Sequence, residues 1–287
     1  MPKIAIATDS NSGIKISECH NNDIYVLPMP FIIDGQEFEE EISLSQQDFY
    51  SKLESNATIS TSQPSLGTVA DFWESILKDY DEIVYIPMSS GLSGSTVTAT
   101  TLSADYPNVY VVDNNRISVT QKQSVYDALS LAQKGFGAKE IKEYLEDTKL
   151  DSSIYITVAT LKYLKKGGRI TTAAAALGSL LKIKPILQIQ GQKLDAFAKV
   201  LNFTQAKSKM INAIKRDIET RFKDLYENKE LCLSVAHTNC YNEAIKFAEE
   251  IKKVFPDIEI AFIDPLSLSV SCHIGPGSLA IALSRRI

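Results

Sequence analysis

Short apolar runs alternate with longer amphipathic stretches through the first half of the chain. Four apolar runs have the length of a strand: residues 3–7, 24–27, 83–87 and 109–112. Five stretches have helical patterns: residues 45–53, 66–80, 96–104, 118–133 and 138–146. In the second of these stretches, for example, Val69, Trp73 and Ile76 recur at helical spacing. This alternation predicts a mostly parallel sheet flanked by helices.

The pattern changes after about residue 150. Strands are predicted at residues 154–158, 185–189, 194–198, 231–236 and 258–263. Helices are predicted at residues 160–166, 171–181, 204–226, 242–254 and 278–284. The turn at residues 190–193 indicates a hairpin, and hairpins mixed with helices indicate a mixed sheet. The sequence therefore predicts an α/β protein of two domains, residues 1–152 and residues 153–287.

Composition and charge exclude several classes of protein. The chain has 287 residues, 44% of them hydrophobic, which is enough for two domains with cores of their own. Its net charge of −5 argues against a nucleic-acid partner. No apolar run reaches the roughly 18 residues of a membrane span, and no signal-peptide pattern opens the chain. The 4 cysteines are widely spaced, so we expect a reduced, cytoplasmic protein without a metal or another cofactor.

A loop rich in serine and glycine, residues 89–95, lies between a predicted strand and a predicted helix. The first turn of a helix has unpaired N–H groups and a positive dipole end, and glycine permits close approach of a ligand. The loop lacks the Lys of a nucleotide P-loop and the G-x-G-x-x-G pattern. It therefore predicts a site for a carboxylate or a small phosphate. The alternative is an ordinary turn with a helix cap.

A second polar loop covers residues 61–65. Ser65 is placed to cap the following helix. The sequence indicates no structural role for Thr61 and Ser62, so they are candidate hydroxyl donors to a ligand. The alternative is a surface loop with polar turn residues.

Two basic side chains beside glycines are candidates for holding an anion. His273 precedes a rigid Gly-Pro-Gly turn, and its charge is adjustable near neutral pH, although a structural histidine is the simpler interpretation. Arg169 follows two glycines and presents a forked guanidinium, whereas the neighbouring lysines are explained by a helix C-terminus. His237, at the end of a predicted strand, is a weaker candidate.

Signatures of catalysis are missing from the sequence. There is no G-x-S-x-G nucleophile elbow, and no cluster of His, Cys or carboxylates has the spacing of metal ligands. A Ser-His-Asp triad is recognised only by its geometry. The hydroxyl-rich loops are therefore better suited to holding an anion than to attacking a substrate.

Six motifs, taken in order, resemble those of the DegV family, and the resemblance runs essentially from end to end. They are TDS at residues 8–10, TSQPS at 61–65, SSGLSGS at 89–95, LKYLKKGGRI at 161–170, IKPIL at 183–187 and HIGPG at 273–277. The resemblance implies two α/β domains with one long-chain fatty acid between them. It also implies a binding subunit of a bacterial fatty acid kinase that has no catalytic activity of its own. Such a subunit presents the carboxylate to a separate ATP-dependent kinase subunit, which makes acyl phosphate for phospholipid synthesis.

The resemblance also implies a ligand site. Thr61 and Ser93 would donate to the carboxylate, Gly94 would permit close approach of the backbone, and His273 would complete the polar network with Arg169 nearby. With the second hydroxyl of its loop, the predicted site is Thr61, Ser62, Ser93, Gly94, Arg169 and His273. The acyl tail would be buried in the C-terminal domain.

Two alternatives to a kinase subunit stay open. The family often has an Arg, associated with docking of the kinase, where this chain has Leu201, so a lipid-sensing regulatory protein is one alternative. A hydrolase or phosphatase that uses Ser93 with His273 is the other. In the main hypothesis the lipid is taken from a membrane by transient contact. Small residues beside large ones at residues 173–181 would then line its tunnel, although tight helix packing explains that mixture equally well.

Overall fold

The chain forms two units, each with a sheet and a hydrophobic core of its own. The computed structural model describes residues 2–19, 23–55, 57–173, 183–191 and 193–287. The first unit comprises Met1–Leu150 together with Ser267–Ser269 and Ile287. The second comprises Asp151–Leu266 and Val270–Arg286.

Among the described residues, the first unit contains seven named strands and six named helices. The strands are β1 (Ile4–Asp9), β2 (Ile24–Leu27), β3 (Pro30–Ile33), β4 (Gln36–Glu39), β5 (Ile59–Thr61), β6 (Glu82–Ile86) and β7 (Val109–Val111). The helices are α1 (Ile16–Cys19), α2 (Gln46–Glu54), α3 (Leu66–Ile76), α4 (Ser95–Leu102), α5 (Val119–Gln133) and α6 (Ala138–Asp147). Strands β2, β1, β6 and β7 form a parallel sheet in that order.

The predicted parallel sheet is confirmed, and helices cover both of its faces. Ile6 and Val84 pack in one cluster with residues of α5 and α6, whereas Ile83 and Tyr85 pack in another with residues of α3 and α4. Alternate side chains of a strand point to opposite faces, which explains why these neighbours enter different clusters. Helix α3 ends at Ile76, earlier than its apolar pattern suggested.

A small antiparallel sheet with the order β4-β3-β5 was not predicted. Its strands have only three or four residues, and residues of β4 are mostly exposed. Such short strands contain at most two repeats of the alternating apolar and polar pattern. That is too few to distinguish the sequence of a strand from that of a loop. The sheet matters for the site because β5 ends at Thr61.

The second unit is built on a sheet of six strands, one more than predicted, and the sheet is mixed as predicted. Its strands are β8 (Ser152–Thr157), β9 (Lys184–Ile189), β10 (Asp195–Val200), β11 (Leu231–His237), β12 (Glu259–Pro265) and β13 (Leu279–Arg285). The order is β10-β9-β8-β13-β11-β12, in which β11 and β12 are parallel and the other neighbours are antiparallel. The predicted hairpin is the β9–β10 pair.

The described helices of the second half are α7 (Lys162–Gly167), α8 (Phe203–Thr220), α9 (Lys223–Glu227), α10 (Tyr241–Val254) and α11 (Leu268–Ile274). Residues of α8 and α10 pack on one face of the sheet, where Tyr155, Leu233 and Ile281 are buried. The hydroxyl of Tyr155 donates to the buried Asp217 at 2.8 Å, so both polar groups are satisfied. The alternate residues of β13, Ala280 and Ala282, are small and buried on the opposite face.

Two predictions for the second half need correction, and one helix was missed. The terminal helix predicted at residues 278–284 is instead strand β13 (Leu279–Arg285), in which Leu279, Ile281 and Leu283 alternate with small buried residues. A short, fully apolar run does not distinguish a buried strand from a helix. The helix predicted over residues 204–226 is two helices, α8 and α9, separated at the buried Phe222. Helix α11 was not predicted.

The helix predicted at residues 171–181 falls mostly outside the described residues, as does the tunnel lining assigned to residues 173–181. In the described part of the chain, every helix is too short or too polar to cross a membrane.

Candidate functional site

Two acidic side chains hold the 89–95 loop at the carboxyl edge of the parallel sheet. Asp9, the last residue of β1, accepts the N–H of Met88 at 2.8 Å. Asp113, just after β7, accepts the hydroxyl of Ser90 at 2.6 Å. Burial raises the pKa of Asp9 above its ordinary value. Asp9 thus fixes the residue that precedes the loop, and Asp113 fixes a residue within it.

Hydrogen bonds within the loop already occupy many of its N–H groups. The N–H groups of Leu92 and Ser93 donate to the carbonyl of Ser89. The N–H of Gly91 donates to Ser89 Oγ at 3.2 Å, and the N–H of Ser95 donates to Ser93 Oγ at 3.2 Å. These four N–H groups are therefore not available to a ligand.

The available N–H groups lie at the start of α4. Among the described residues, no acceptor contacts the N–H groups of Gly94, Thr96 and Val97, and the first helical bond runs from Thr98 to Gly94 at 3.0 Å. Ser93 Oγ lies beside them, 2.5 Å from Ser95 Oγ. Unpaired N–H groups at the positive end of a helix attract an anion. The start of α4 is therefore a candidate carboxylate site.

Gln63 joins the 61–65 loop to α4. Its Nε2 donates to Thr98 Oγ1 at 3.1 Å. A Cβ atom on Gly94 would lie 3.0 Å from Gln63 Oε1, so the glycine leaves room for this side chain. The φ of Gly94 is −73°, which any residue adopts. Gly94 is thus explained by close packing and by access to its N–H, and not by its backbone conformation.

The hydroxyl residues of the 61–65 loop are fixed by strand pairing. Thr61 ends β5 opposite Phe31, and the N–H of Ser62 donates to the carbonyl of Pro30 at 3.3 Å. The exposed hydroxyl of Ser62 donates to the carbonyl of the next residue at 3.1 Å. Ser65 caps α3, as predicted, by accepting the N–H of Thr68 at 3.0 Å. The first unit therefore brings this loop beside the start of α4.

In the second unit, two glycines let α7 pack against the 273–277 turn. A Cβ atom on Gly167 would lie 2.1 Å from Nδ1 of His273, so the imidazole occupies the space that a side chain would need. A Cβ atom on Gly275 would lie 2.3 Å from Cδ2 of Tyr163, and the φ of this glycine is +81°. The ring of His273 therefore packs against Gly167 of α7, and the ring of Tyr163 packs against Gly275 of the turn.

Arg169 and His273 share one environment. Arg169 Nη1 donates to the carbonyl of Gly167, the residue against which the imidazole packs. Burial, with a smaller contribution from the Arg169 charge, lowers the pKa of His273 to about 4. This pKa lies below the near-neutral range in which the sequence led us to expect His273 to change its charge. A neutral imidazole still carries one N–H that can donate to a carboxylate.

His237 ends β11, and its Nδ1 accepts the N–H of Cys240 at 3.4 Å. Burial lowers its pKa as well. Within the part of the chain that the structure describes, no three His, Cys, Asp or Glu side chains form a group that could hold a metal ion.

The predicted site residues thus form two groups. Thr61, Ser62, Ser93 and Gly94 belong to the first unit, whereas Arg169 and His273 belong to the second. Sequence reasoning missed Gln63 and Tyr163, although both lie inside the quoted motifs. The sequence signal for each was a glycine elsewhere in the chain: Gly94 for Gln63 and Gly275 for Tyr163. A glycine stands at each of these positions because a larger residue would collide with the side chain that packs there.

The fold and the candidate site define a class of protein: two α/β units, with available N–H groups at a helix start in one and a histidine–arginine pair in the other. The model of the "Uncharacterised protein, DegV family" matches residues 3–286, so the chain belongs to the DegV family. Protein DegV of Bacillus subtilis is 31% identical over 283 residues, covering 97% of this chain and 98% of that protein. A DegV domain-containing protein of Clostridium perfringens is 32% identical over 293 residues, covering 98% and 97%.

Solved structures of relatives have the same fold. The crystal structure of DegV, a fatty acid binding protein from Bacillus subtilis, has a TM-score of 0.85 and 29% identity, covering 100% of both chains. A DegV family protein from Thermus thermophilus, described by its fatty acid binding, has a TM-score of 0.89 and 24% identity, covering 99% of both chains. The second comparison shows the fold alone because of its low identity.

Proposed function

We propose that this protein binds a long-chain fatty acid and holds it by its carboxylate. The observation that carries the proposal is the cluster of available N–H groups at Gly94, Thr96 and Val97, beside the hydroxyl of Ser93. An anion is the ligand that such a helix start attracts. The relative from Bacillus subtilis that is described as a fatty acid binding protein, 29% identical to this chain, supports a fatty acid as that anion.

In this proposal the carboxylate accepts hydrogen bonds from Thr61, Ser93 and the N–H of Gly94, with Ser62 as a further hydroxyl. His273 donates its neutral imidazole N–H, and Arg169 adds a positive charge. Each hydrogen bond to the charged carboxylate contributes about 1.5–3 kcal/mol. These bonds orient the head group.

The acyl tail supplies most of the binding free energy. Each buried methylene contributes about 0.8 kcal/mol, so a long chain gains on the order of 10 kcal/mol before the entropy of ordering it is subtracted. The proposed place for the tail is in the second unit, on the face of the six-stranded sheet where the buried Ala280 and Ala282 pair with Ile156 and Ile154.

The finer proposal is that the protein presents the carboxylate to a separate ATP-dependent kinase subunit and has no catalytic activity alone. It loads by transient contact with a membrane and works in the cytoplasm. Leu201 is 69% exposed, and an exposed Leu in place of the Arg of the family favours a second candidate, a lipid-sensing protein without a kinase partner. A pull-down with the bacterial fatty acid kinase subunit, compared between the wild type and Leu201→Arg, distinguishes the two candidates.

Mass spectrometry of the denatured, purified protein tests the main proposal. We expect one fatty acid per chain in the wild type, and its loss in Thr61→Ala combined with Ser93→Ala. The matched control is Ser75→Ala with Thr101→Ala. It removes two exposed hydroxyls that donate only to carbonyls of their own helices. A wild type without fatty acid, or turnover of an ester that depends on Ser93, contradicts the proposal.

A further inference from the structure

Glu40 holds a short segment from the second half of the chain within the first unit. Ser267–Ser269 belongs to the first unit although its flanking residues belong to the second. Glu40 Oε1 accepts the N–H of Leu268, and Glu40 Oε2 accepts the hydroxyl of Ser10 at 2.8 Å. Glu40 is 4% exposed and Leu268 is 1% exposed, so water does not compete for these bonds.

Asn11 provides a second attachment for the same segment. Its Oδ1 accepts the hydroxyl of Ser267 at 3.1 Å and the hydroxyl of Ser269. Asn11 is itself fixed, because its N–H donates to Asp9 Oδ1 at 3.1 Å. Three donors from consecutive residues therefore meet two buried acceptor side chains.

Helix α11 begins at this attachment. Leu268 is its first residue, and His273 lies in its last turn. A helix rises about 1.5 Å per residue, so the five steps between these residues span only about 7.5 Å of regular backbone. The orientation of the first turn is therefore transmitted to the imidazole with little freedom between them.

We infer that Glu40 is a positioning residue for the fatty acid site: by fixing Leu268 it sets the start of α11 and, through the helix, the imidazole of His273. The inference rests on the proposed function, in which His273 donates to the carboxylate. Glu40 itself has no contact with the ligand in this account. Its effect is exerted entirely through the helix.

The hydrogen bonds of Glu40 indicate which variants distinguish its role as acceptor for Leu268 from the effect of its charge. The N–H of Leu268 can only donate, and Ser10 Oγ already accepts the N–H of Met29 at 3.1 Å, so its proton is directed at Glu40. The charged groups that act on Glu40 are Asp9 and Glu41, both acidic. Burial, reinforced by these two, raises the pKa of Glu40 to about 7. Glu40→Gln keeps an acceptor for Leu268 and removes the charge together with the acceptor for Ser10, whereas Glu40→Ala removes both acceptors.

The test is the side-chain NMR signal of His273, recorded on the full chain. The chain has 3 histidines, which are assigned by replacing them one at a time. In Glu40→Ala we expect the His273 signal to shift and its pKa to rise from about 4 towards the ordinary 6.5, because the imidazole loses its fixed burial. Glu40→Gln should restore the wild-type signal. The matched control, Glu37→Ala, removes an exposed carboxylate of β4 and should change nothing.

An unchanged His273 signal in Glu40→Ala, or an equal change in Glu37→Ala, overturns the inference. If Glu40→Ala does not fold, Ser267→Ala with Ser269→Ala removes the attachment to Asn11, and it should shift the same signal in the same direction. No shift in that variant also overturns the inference. Mass spectrometry of the wild type keeps the two proposals apart, because an empty protein contradicts fatty acid binding whether or not His273 responds to Glu40.

Discussion

Replacing Gly167 by Ala should displace the imidazole of His273. The new Cβ atom would lie 2.1 Å from Nδ1, and ordinary contact begins at 3.4 Å, so the ring or the helix must retreat by about 1.3 Å. A shift of that size would break the proposed hydrogen bond from His273 to the carboxylate, which is worth about 1.5–3 kcal/mol, or roughly a 10- to 150-fold loss of affinity. Overpacking costs about 1–3 kcal/mol of stability, and the helix preference of Ala returns about 0.5–1 kcal/mol.

The assay is the dissociation constant for a fluorescent long-chain fatty acid, measured beside urea unfolding. Gly67→Ala is the matched control, because it lies in α3 and its Cβ atom would meet nothing closer than Ser65 Oγ at 3.8 Å. We expect the control to gain about 0.5–1 kcal/mol of stability and to bind as the wild type does. Equal affinity in Gly167→Ala and the wild type would refute the assignment of His273 to the ligand site.

Three further predictions concern stability, each measured by urea unfolding. Ser65→Ala removes the cap of α3 and should cost about 1 kcal/mol, and no loss would contradict the capping role. Tyr155→Phe leaves the buried Asp217 without its donor and should cost about 1–3 kcal/mol, whereas a neutral result would show that water replaces the hydroxyl. Burial raises the pKa of Glu40 from 4.5 to about 7, so the folded protein holds a proton that the unfolded chain releases between these values. Wild-type stability should therefore be fully present below pH 4.5 and fall, by about 3 kcal/mol from this group, as the pH rises through about 7. The stability of Glu40→Gln should not show this decrease with pH. Identical dependence of stability on pH in the variant and the wild type would contradict the prediction.

Regular periodicity made most of the fold predictable. The parallel sheet, the capped helices and the β9–β10 hairpin were all indicated by apolar spacing and turn residues. Strand β13 was mistaken for a helix because every residue of its apolar run is buried, and burial on both faces removes the alternation that identifies a strand. The β4-β3-β5 sheet was missed because strands of three or four residues have almost no period to detect.

The chemistry of the site was predictable only in part. The hydroxyls and glycines were visible as motifs, and strand–loop–helix order placed the 89–95 loop at a helix start. Which N–H groups stay available depends on bonds such as those from Leu92 and Ser93 to Ser89, which no spacing rule reveals. The low pKa of His273 arises from burial and from Arg169, and both depend on how α7 packs on the 273–277 turn.

The most direct test of the account is carbon-13 NMR of a fatty acid labelled at its carboxyl carbon and bound to the protein. The account predicts a single bound resonance whose carboxylate stays ionised well below the pH at which a free carboxyl group titrates, because several donors hold it. Thr61→Ala combined with Ser93→Ala should move that resonance and raise its titration midpoint. A bound carboxyl group that titrates like one in water, and that ignores both substitutions, would contradict the account.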